Sequence, residues 1–165
     1  MFYNPKLMEA LTPRDHELHQ AVCNLILRVN NHFISSLRKT YIINCHSISR
    51  AVARHIPDLK VVSGLHISYK NISDGKCLMT KTIHSWLTTP DDAIIELYSP
   101  TLISIAPIII PIKGEYAEAN SGVYVASESV AGFMYKHVNT WRLRRDTAVL
   151  VQLLEEAKGF ALATD

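Results

Sequence analysis

Apolar positions recur along this chain with two different periods, and the switch between them organises the sequence. Thr12 and Pro13 read as a helix start, a capping hydroxyl followed by proline at the first helical position. Leu18, Val22, Leu25, Val29 and Phe33 then recur every three or four residues, which predicts an amphipathic helix running to about Lys39. A short apolar link, Tyr41-Ile42-Ile43, leads to Asn44, a good N-cap, and to a second helix with Ile48, Val52 and Ile56 on one face. Pro57 ends it.

Past Pro57 the period becomes two. Leu59, Val61, Leu65, Ile67 and Tyr69 alternate with Lys60, Gly64, His66, Ser68 and Lys70, the pattern of a half-buried strand. The polar stretch from Asn71 to Thr80 reads as a loop. Two further strands, Thr82 to Thr88 and Ala93 to Ser99, flank the turn-like Thr89-Pro90-Asp91-Asp92 and predict a β-hairpin. Thr101 to Ile112 is apolar, but Pro107 and Pro111 break it, so it reads as buried extended chain. Gly114 to Gly122 is irregular, and Val123 to Ala126 is a candidate short strand. From about Ser127, and most clearly from Arg145 to Ala161, the period is helical again, with Leu150, Leu153, Leu154, Ala157 and Phe160 as the apolar stripe. Helices, then antiparallel strands, then a C-terminal helix predict an α+β fold.

Composition narrows the class. The 165 residues fit a single domain spanning 1–165, and 48% hydrophobic against 19% charged residues suits a packed globule. A formal charge of +2 gives no sign of a nucleic-acid partner. No apolar run approaches the roughly 20 residues needed to span a bilayer, and the N-terminus lacks a secretory h-region. The expectation is therefore a cytoplasmic protein with no membrane or nucleic-acid partner. Three scattered cysteines, Cys23, Cys45 and Cys77, without a CxxC pair, argue for a reducing compartment rather than a disulfide framework.

One of the three stands where a thiol can work. With Asn44 as N-cap, Cys45 lies in the first helical turn, where unpaired backbone N–H groups and the helix dipole favour a thiolate and could steady an oxyanion. A nucleophilic cysteine needs a base, and the base an orienting partner. His84 is the best base, mid-strand, with Ile83, Ser85 and Leu87 on the opposite face. Hairpin register supplies the partner: a three-residue loop closed by Thr88 and Asp92, or a five-residue loop between Leu87 and Ala93, puts Glu96 opposite His84. A four-residue loop puts Leu97 there instead and turns the carboxylate away.

Asn44-Cys45-His46-Ser47-Ile48-Ser49 opening a helix, then His84-Ser85-Trp86-Leu87 and Ile94-Ile95-Glu96-Leu97-Tyr98 on successive strands, resembles the core of transglutaminase-like enzymes within the papain-like superfold. The resemblance covers about residues 41–100. It implies a papain-like α+β architecture with Cys45 as nucleophile, His84 as general base, Glu96 as third member and Tyr41 as an oxyanion helper. The family's third position is more often Asp or Asn, and Asp92 is the substitute for Glu96. The implied activity is that of a cysteine hydrolase or acyltransferase acting on a peptide or glutamine-type amide, without a cofactor. A papain-like binding or adaptor domain that has lost catalysis is the alternative, and Glu96 at the third position is the feature that favours it.

Rival features carry blander readings. His16, His19 and Cys23 share a helical face and could bind a soft metal, but no fourth ligand lies near, so no metal site is expected. Cys23 reads as core packing and Cys77 as an exposed loop thiol. His46, His55, His66 and His137 lack evident partners; His46 adjoins Cys45, but consecutive helical residues do not face each other. Arg142, Arg144 and Arg145 beside Trp141 read as a solvated helix face, and Trp86 as a cover for the His84 ring.

Overall fold

A computed structural model of the chain describes residues 11–29, 44–72, 76–97, 107–110, 122–137 and 140–161. The element order is α1 (Pro13–Val29), α2 (Cys45–His55), β1 (Lys60–Ile72), β2 (Lys76–Thr88), β3 (Ile94–Glu96), β4 (Ile108–Ile110), β5 (Gly122–Ala126), α3 (Glu128–His137) and α4 (Thr140–Ala161). The strands form one antiparallel sheet in the order β4-β3-β2-β1-β5. The architecture is α+β, as the order of periodicities predicts.

The starts of α1 and α2 are fixed by their own side chains. At α1 the Thr12 hydroxyl accepts from the Asp15 N–H at 3.1 Å, and Asp15 Oδ2 accepts from the Thr12 N–H at 2.9 Å. This is a reciprocal capping box, and Asp15 is fully buried because its other oxygen accepts from Thr89 in the β2–β3 turn. At α2 Asn44 has extended backbone, and its Oδ1 accepts from the N–H groups of His46 and Ser47, both at 3.0 Å. That geometry is the reason Cys45 becomes the first residue of the helix.

The core lies between the helices and one face of the sheet. Leu18, Val22, Leu25 and Ile26 of α1, Ile48, Ala51 and Val52 of α2, and Leu150 and Leu154 of α4 close over Leu87, Ile95 and Leu97. Fully burying one such side chain stabilises the fold by about 1.5–3 kcal/mol. Leu87 pairs directly with Ile95, so both leave the sheet on this helical side. Residues of the other parity, His84 and Trp86 on β2 and Glu96 on β3, leave on the opposite side.

The structure departs from the sequence expectations in two places. The segment from Asn71 to Thr80 is largely strand: β1 continues to Ile72, β2 begins at Lys76, and Ile72 pairs with Lys76. Strand pairing satisfies the backbone whatever the side chains, so a polar hairpin end carries no apolar alternation to betray it. Cys77 accordingly lies in β2 rather than a loop. β3 is three residues, shorter than the predicted Ala93–Ser99. The C-terminal part is helical from Glu128, as expected, in two elements, α3 and α4. Residues 30–43, including the predicted end of the first helix, fall outside the described residues.

Candidate functional site

The sheet brings His84 and Glu96 together by a register other than either expected one. Thr88 pairs with Ile94 and Leu87 with Ile95, so continuing the ladder sets Glu96 opposite Trp86, two residues from His84. The turn holds five residues, Thr89 to Ala93; the Thr89 N–H donates to the Ala93 carbonyl at 2.9 Å, and Asp92 takes φ 64°. A shift of two conserves the face, and a diagonal pair is within reach of long side chains. Glu96 thus meets His84 Nε2 at 2.6 Å, with the two side chains 0% and 1% exposed. Asp92 is exposed in the turn, so the structure does not bring it to the imidazole.

Cys45 approaches the same imidazole from the start of α2. Its thiol lies within electrostatic reach of the rings of His84 and His46. Burial pushes this thiol up, but the two rings and the positive charge of His84 outweigh it and bring the thiol down from 9.0 to about 6. Burial likewise pushes His84 down, and its contacts with Cys45 and Glu96, with their negative charges, reverse this and lift it from 6.5 to about 9. With Nε2 committed to Glu96, the other ring nitrogen is the one left for sulfur. Cys23 shows the contrast: burial alone pushes its thiol up.

Other residues complete the cluster. Tyr124 of β5 donates its hydroxyl to Glu96 Oε2 at 2.8 Å, so one carboxylate oxygen receives both His84 and a phenol. Trp86 stacks beside His84 with ring centroids 6.2 Å apart at 25°. Its edge meets Tyr124 at 5.1 Å. His66 of β1 lies edge-on to His84 at 5.9 Å and 2% exposed; its Nε2 has no hydrogen-bond partner among the described residues. Burial, then the His84 charge, push His66 down, against a smaller opposing pull from Glu96. Gly64 sits directly opposite both His84 and Ala126. A Cβ there would come 2.0 Å from the Val125 carbonyl oxygen, so only glycine lets β5 carry Tyr124 this close.

Of the residues the sequence singles out, Cys45, His84 and Glu96 come together, and Tyr41 lies outside the described residues. Tyr124 was not singled out, because strand order cannot be read from one sequence. His46 carries more than its sequence neighbourhood suggests. His84 and Ser85 leave β2 in opposite directions, yet consecutive residues of α2 meet them: Cys45 meets His84, and His46 Nδ1 meets Ser85 Oγ at 2.7 Å. His55 also has a partner, the Val151 carbonyl at 3.1 Å. The expected supply of helix N–H groups for an oxyanion is smaller than expected, since Asn44 occupies those of His46 and Ser47.

Elsewhere, His19 faces Cys23 Sγ at 3.5 Å and the Pro107 carbonyl at 3.5 Å. Among the described residues no group of three or more His, Cys, Asp or Glu is placed to hold a metal, and no helix is long and apolar enough to cross a membrane. Two of the three C-terminal arginines are engaged: Arg145 binds Asp146 at 2.8 Å and lies 5.1 Å over the Trp141 ring, and Arg142 reaches Asp146 at 3.9 Å. A cleft of about 400 Å³ between α2, β1 and α3 is lined by Arg50, Arg54 and Ser63 among others, and by none of Cys45, His84 and Glu96.

No family model, no curated protein and no solved structure matches this chain.

Proposed function

We propose that the chain is a cysteine-dependent acyl-group enzyme of papain-like or transglutaminase-like type, acting on a peptide or glutamine-type amide. One observation supports this above the others. A cysteine in the first turn of a helix meets an imidazole whose far nitrogen is held at 2.6 Å by a fully buried carboxylate. A nucleophile, a base and an orienting acid in that order is the general arrangement of covalent acyl transfer.

In this reading the Cys45 thiolate attacks the carbonyl carbon, a C–S bond forms, and the carbonyl electron pair moves onto oxygen. The N–H of Cys45, the first residue of the helix, is the donor this reading assigns to the developing oxyanion. Collapse of the adduct breaks the C–N bond as His84 gives its proton to the departing amine, leaving a thioester. Water then attacks, His84 takes its proton, and the C–S bond breaks to restore the pair. An amine in place of water gives transfer instead of hydrolysis. Glu96 holds the ring by Nε2 and balances its charge throughout.

The 8% exposure of Cys45 favours one other reading, a papain-like binding domain without turnover. Iodoacetamide labelling of Cys45, followed by mass spectrometry across pH, separates the two. The enzyme reading expects half-maximal labelling near pH 6, where the thiolate forms. A thiol inert at every pH, or labelled only toward its ordinary value of 9.0, overturns it.

A further inference from the structure

We propose that Tyr124 is a positioning residue for the reaction: its hydroxyl shares the Glu96 oxygen that holds His84, and so eases the grip of the carboxylate on the imidazole proton. The proposal rests on Cys45, His84 and Glu96 acting as nucleophile, base and orienting acid. Tyr124 donates to Glu96 Oε2 at 2.8 Å, and the same oxygen stands 2.6 Å from His84 Nε2. The contact crosses the sheet. Tyr124 belongs to β5 and Glu96 to β3, and both β2 and β1 lie between them. Three strand steps of about 4.8 Å make roughly 14 Å, a span that takes two long side chains reaching toward each other. A side chain one methylene shorter than Glu96 falls short of it. Gly64 keeps β5 close enough, since a Cβ there would meet the Val125 carbonyl oxygen at 2.0 Å.

Two donors on one oxygen compete for the same electron density. Glu96 and His84 are buried, and in low-dielectric surroundings each donor acts strongly on the other. A phenol that donates to Oε2 draws charge from it and weakens its attraction for the proton on Nε2. The carboxylate still orients the ring, and His84 gives its proton more readily to the departing amine. The groups that face the imidazole are Cys45 from α2, Glu96 from β3, His66 from β1 and Tyr124 from β5. Cys45 and Glu96 raise His84 directly, and Tyr124 acts on it through Glu96. The Tyr124 ring also packs, with centroids 4.9 Å from His66, 6.0 Å from His84 and 5.1 Å from Trp86. Deleting the hydroxyl alone leaves that packing in place.

The test is the titration of His84 in the full chain, read by NMR of 13C-labelled histidine, for wild type, Tyr124→Phe, Glu96→Gln and the double variant, with thermal melts to verify folding. Tyr124→Phe keeps the ring and removes the donor. Its His84 midpoint is expected to rise by about half a pH unit, a roughly three-fold tighter hold on the proton. A hydroxyl that merely braces Glu96 gives the opposite sign, because a loosened carboxylate lets His84 fall toward 6.5. In the Glu96→Gln background the same substitution leaves His84 unmoved, since the carboxylate through which the hydroxyl acts is gone. A midpoint that falls or stays put in Tyr124→Phe, or a shift of equal size in both backgrounds, overturns the proposal and leaves the Cys45–His84–Glu96 reading standing. Should Tyr124→Phe not fold, the wild type decides: the 13Cζ signal of Tyr124 is expected to step at the His84 midpoint, and a flat signal there overturns the proposal. A wild-type Cys45 that iodoacetamide labels only toward its ordinary value of 9.0 overturns the enzyme reading itself.

Discussion

Replacing Glu96 by Gln removes a buried negative charge and leaves the shape of the side chain nearly intact. In the wild type His84 is lifted from 6.5 to about 9, a differential stabilisation of the imidazolium of about 3 kcal/mol at 1.36 kcal/mol per pH unit. Two groups supply it against the cost of burial, Cys45 and Glu96. A hydrogen bond to a charged partner contributes about 1.5–3 kcal/mol. Losing the Glu96 share therefore drops His84 by about 1–2 units, to about 7–8. The range in which thiolate and imidazolium coexist, from about 6 to about 9 in the wild type, narrows from its alkaline side. NMR titration of 13C-labelled histidine reads the change directly. Stability follows with a sign that can be worked out. Taken alone, the raised value of His84 gives stability that is full below 6.5 and lost as pH rises through about 9. The lowered value of Cys45 gives stability present above 9.0 and lost as pH falls through about 6. Between about 6.5 and 9 the folded pair binds one proton, on His84, and the unfolded pair also binds one, on Cys45, so the pair adds no slope. In Glu96→Gln the folded pair loses that proton near pH 7–8 while unfolded Cys45 keeps its own. Urea midpoints in the variant should then rise with pH up to about 9 relative to wild type. A His84 that still titrates near 9 in Glu96→Gln refutes the reasoning, because the carboxylate would then contribute nothing to the imidazolium.

Two further substitutions test the scaffold around the site. Asn44→Ala strips the cap that accepts from the His46 and Ser47 N–H groups; urea denaturation should show a loss of about 1 kcal/mol, and the Cys45 labelling midpoint should move up as the helix start frays. Gly64→Ala forces β5 away from the Val125 oxygen that a Cβ would meet at 2.0 Å. It should cost at least about 2 kcal/mol, a large value of the kind overpacking and strain produce, and the NMR signal of the Tyr124 hydroxyl should lose its hydrogen-bond shift. A stability within about 0.5 kcal/mol of wild type, the range of ordinary surface changes, would contradict the close approach of β5.

How much of this was legible in the sequence depended on whether the governing interaction is local. Thr12-Pro13 and Asn44 cap helices through neighbours three residues away, and both starts are where the sequence places them. The polar hairpin end from Asn71 to Thr80 was not legible. Its pairing is made by backbone groups that every residue except proline carries, and its sequence holds no apolar alternation to mark it. Tyr124 illustrates the same limit at longer range: its role depends on β1 lying between β2 and β5, a fact of strand order that one sequence does not carry.

The β2–β3 hairpin is the instructive intermediate case. The sequence reasoning needs Glu96 directly across from His84, and the observed ladder puts it opposite Trp86. The pairing was misread, yet the contact at 2.6 Å was not lost. The reason is physical: side chains alternate faces with period two, so an even slip keeps a residue on its face, and an odd slip removes it. Face is therefore a sturdier inference than partner. The diagonal placement also has a chemical consequence. A directly opposed carboxylate would stand beside His84; a diagonal one reaches it along the strand, ring-tip to carboxylate, over the Trp86 neighbourhood. That leaves Oε2 able to take Tyr124 from β5 as well. With the tip of the imidazole held by Glu96, and Glu96 in turn held by Tyr124, the remaining ring nitrogen is the one left for the first turn of α2, where Cys45 stands.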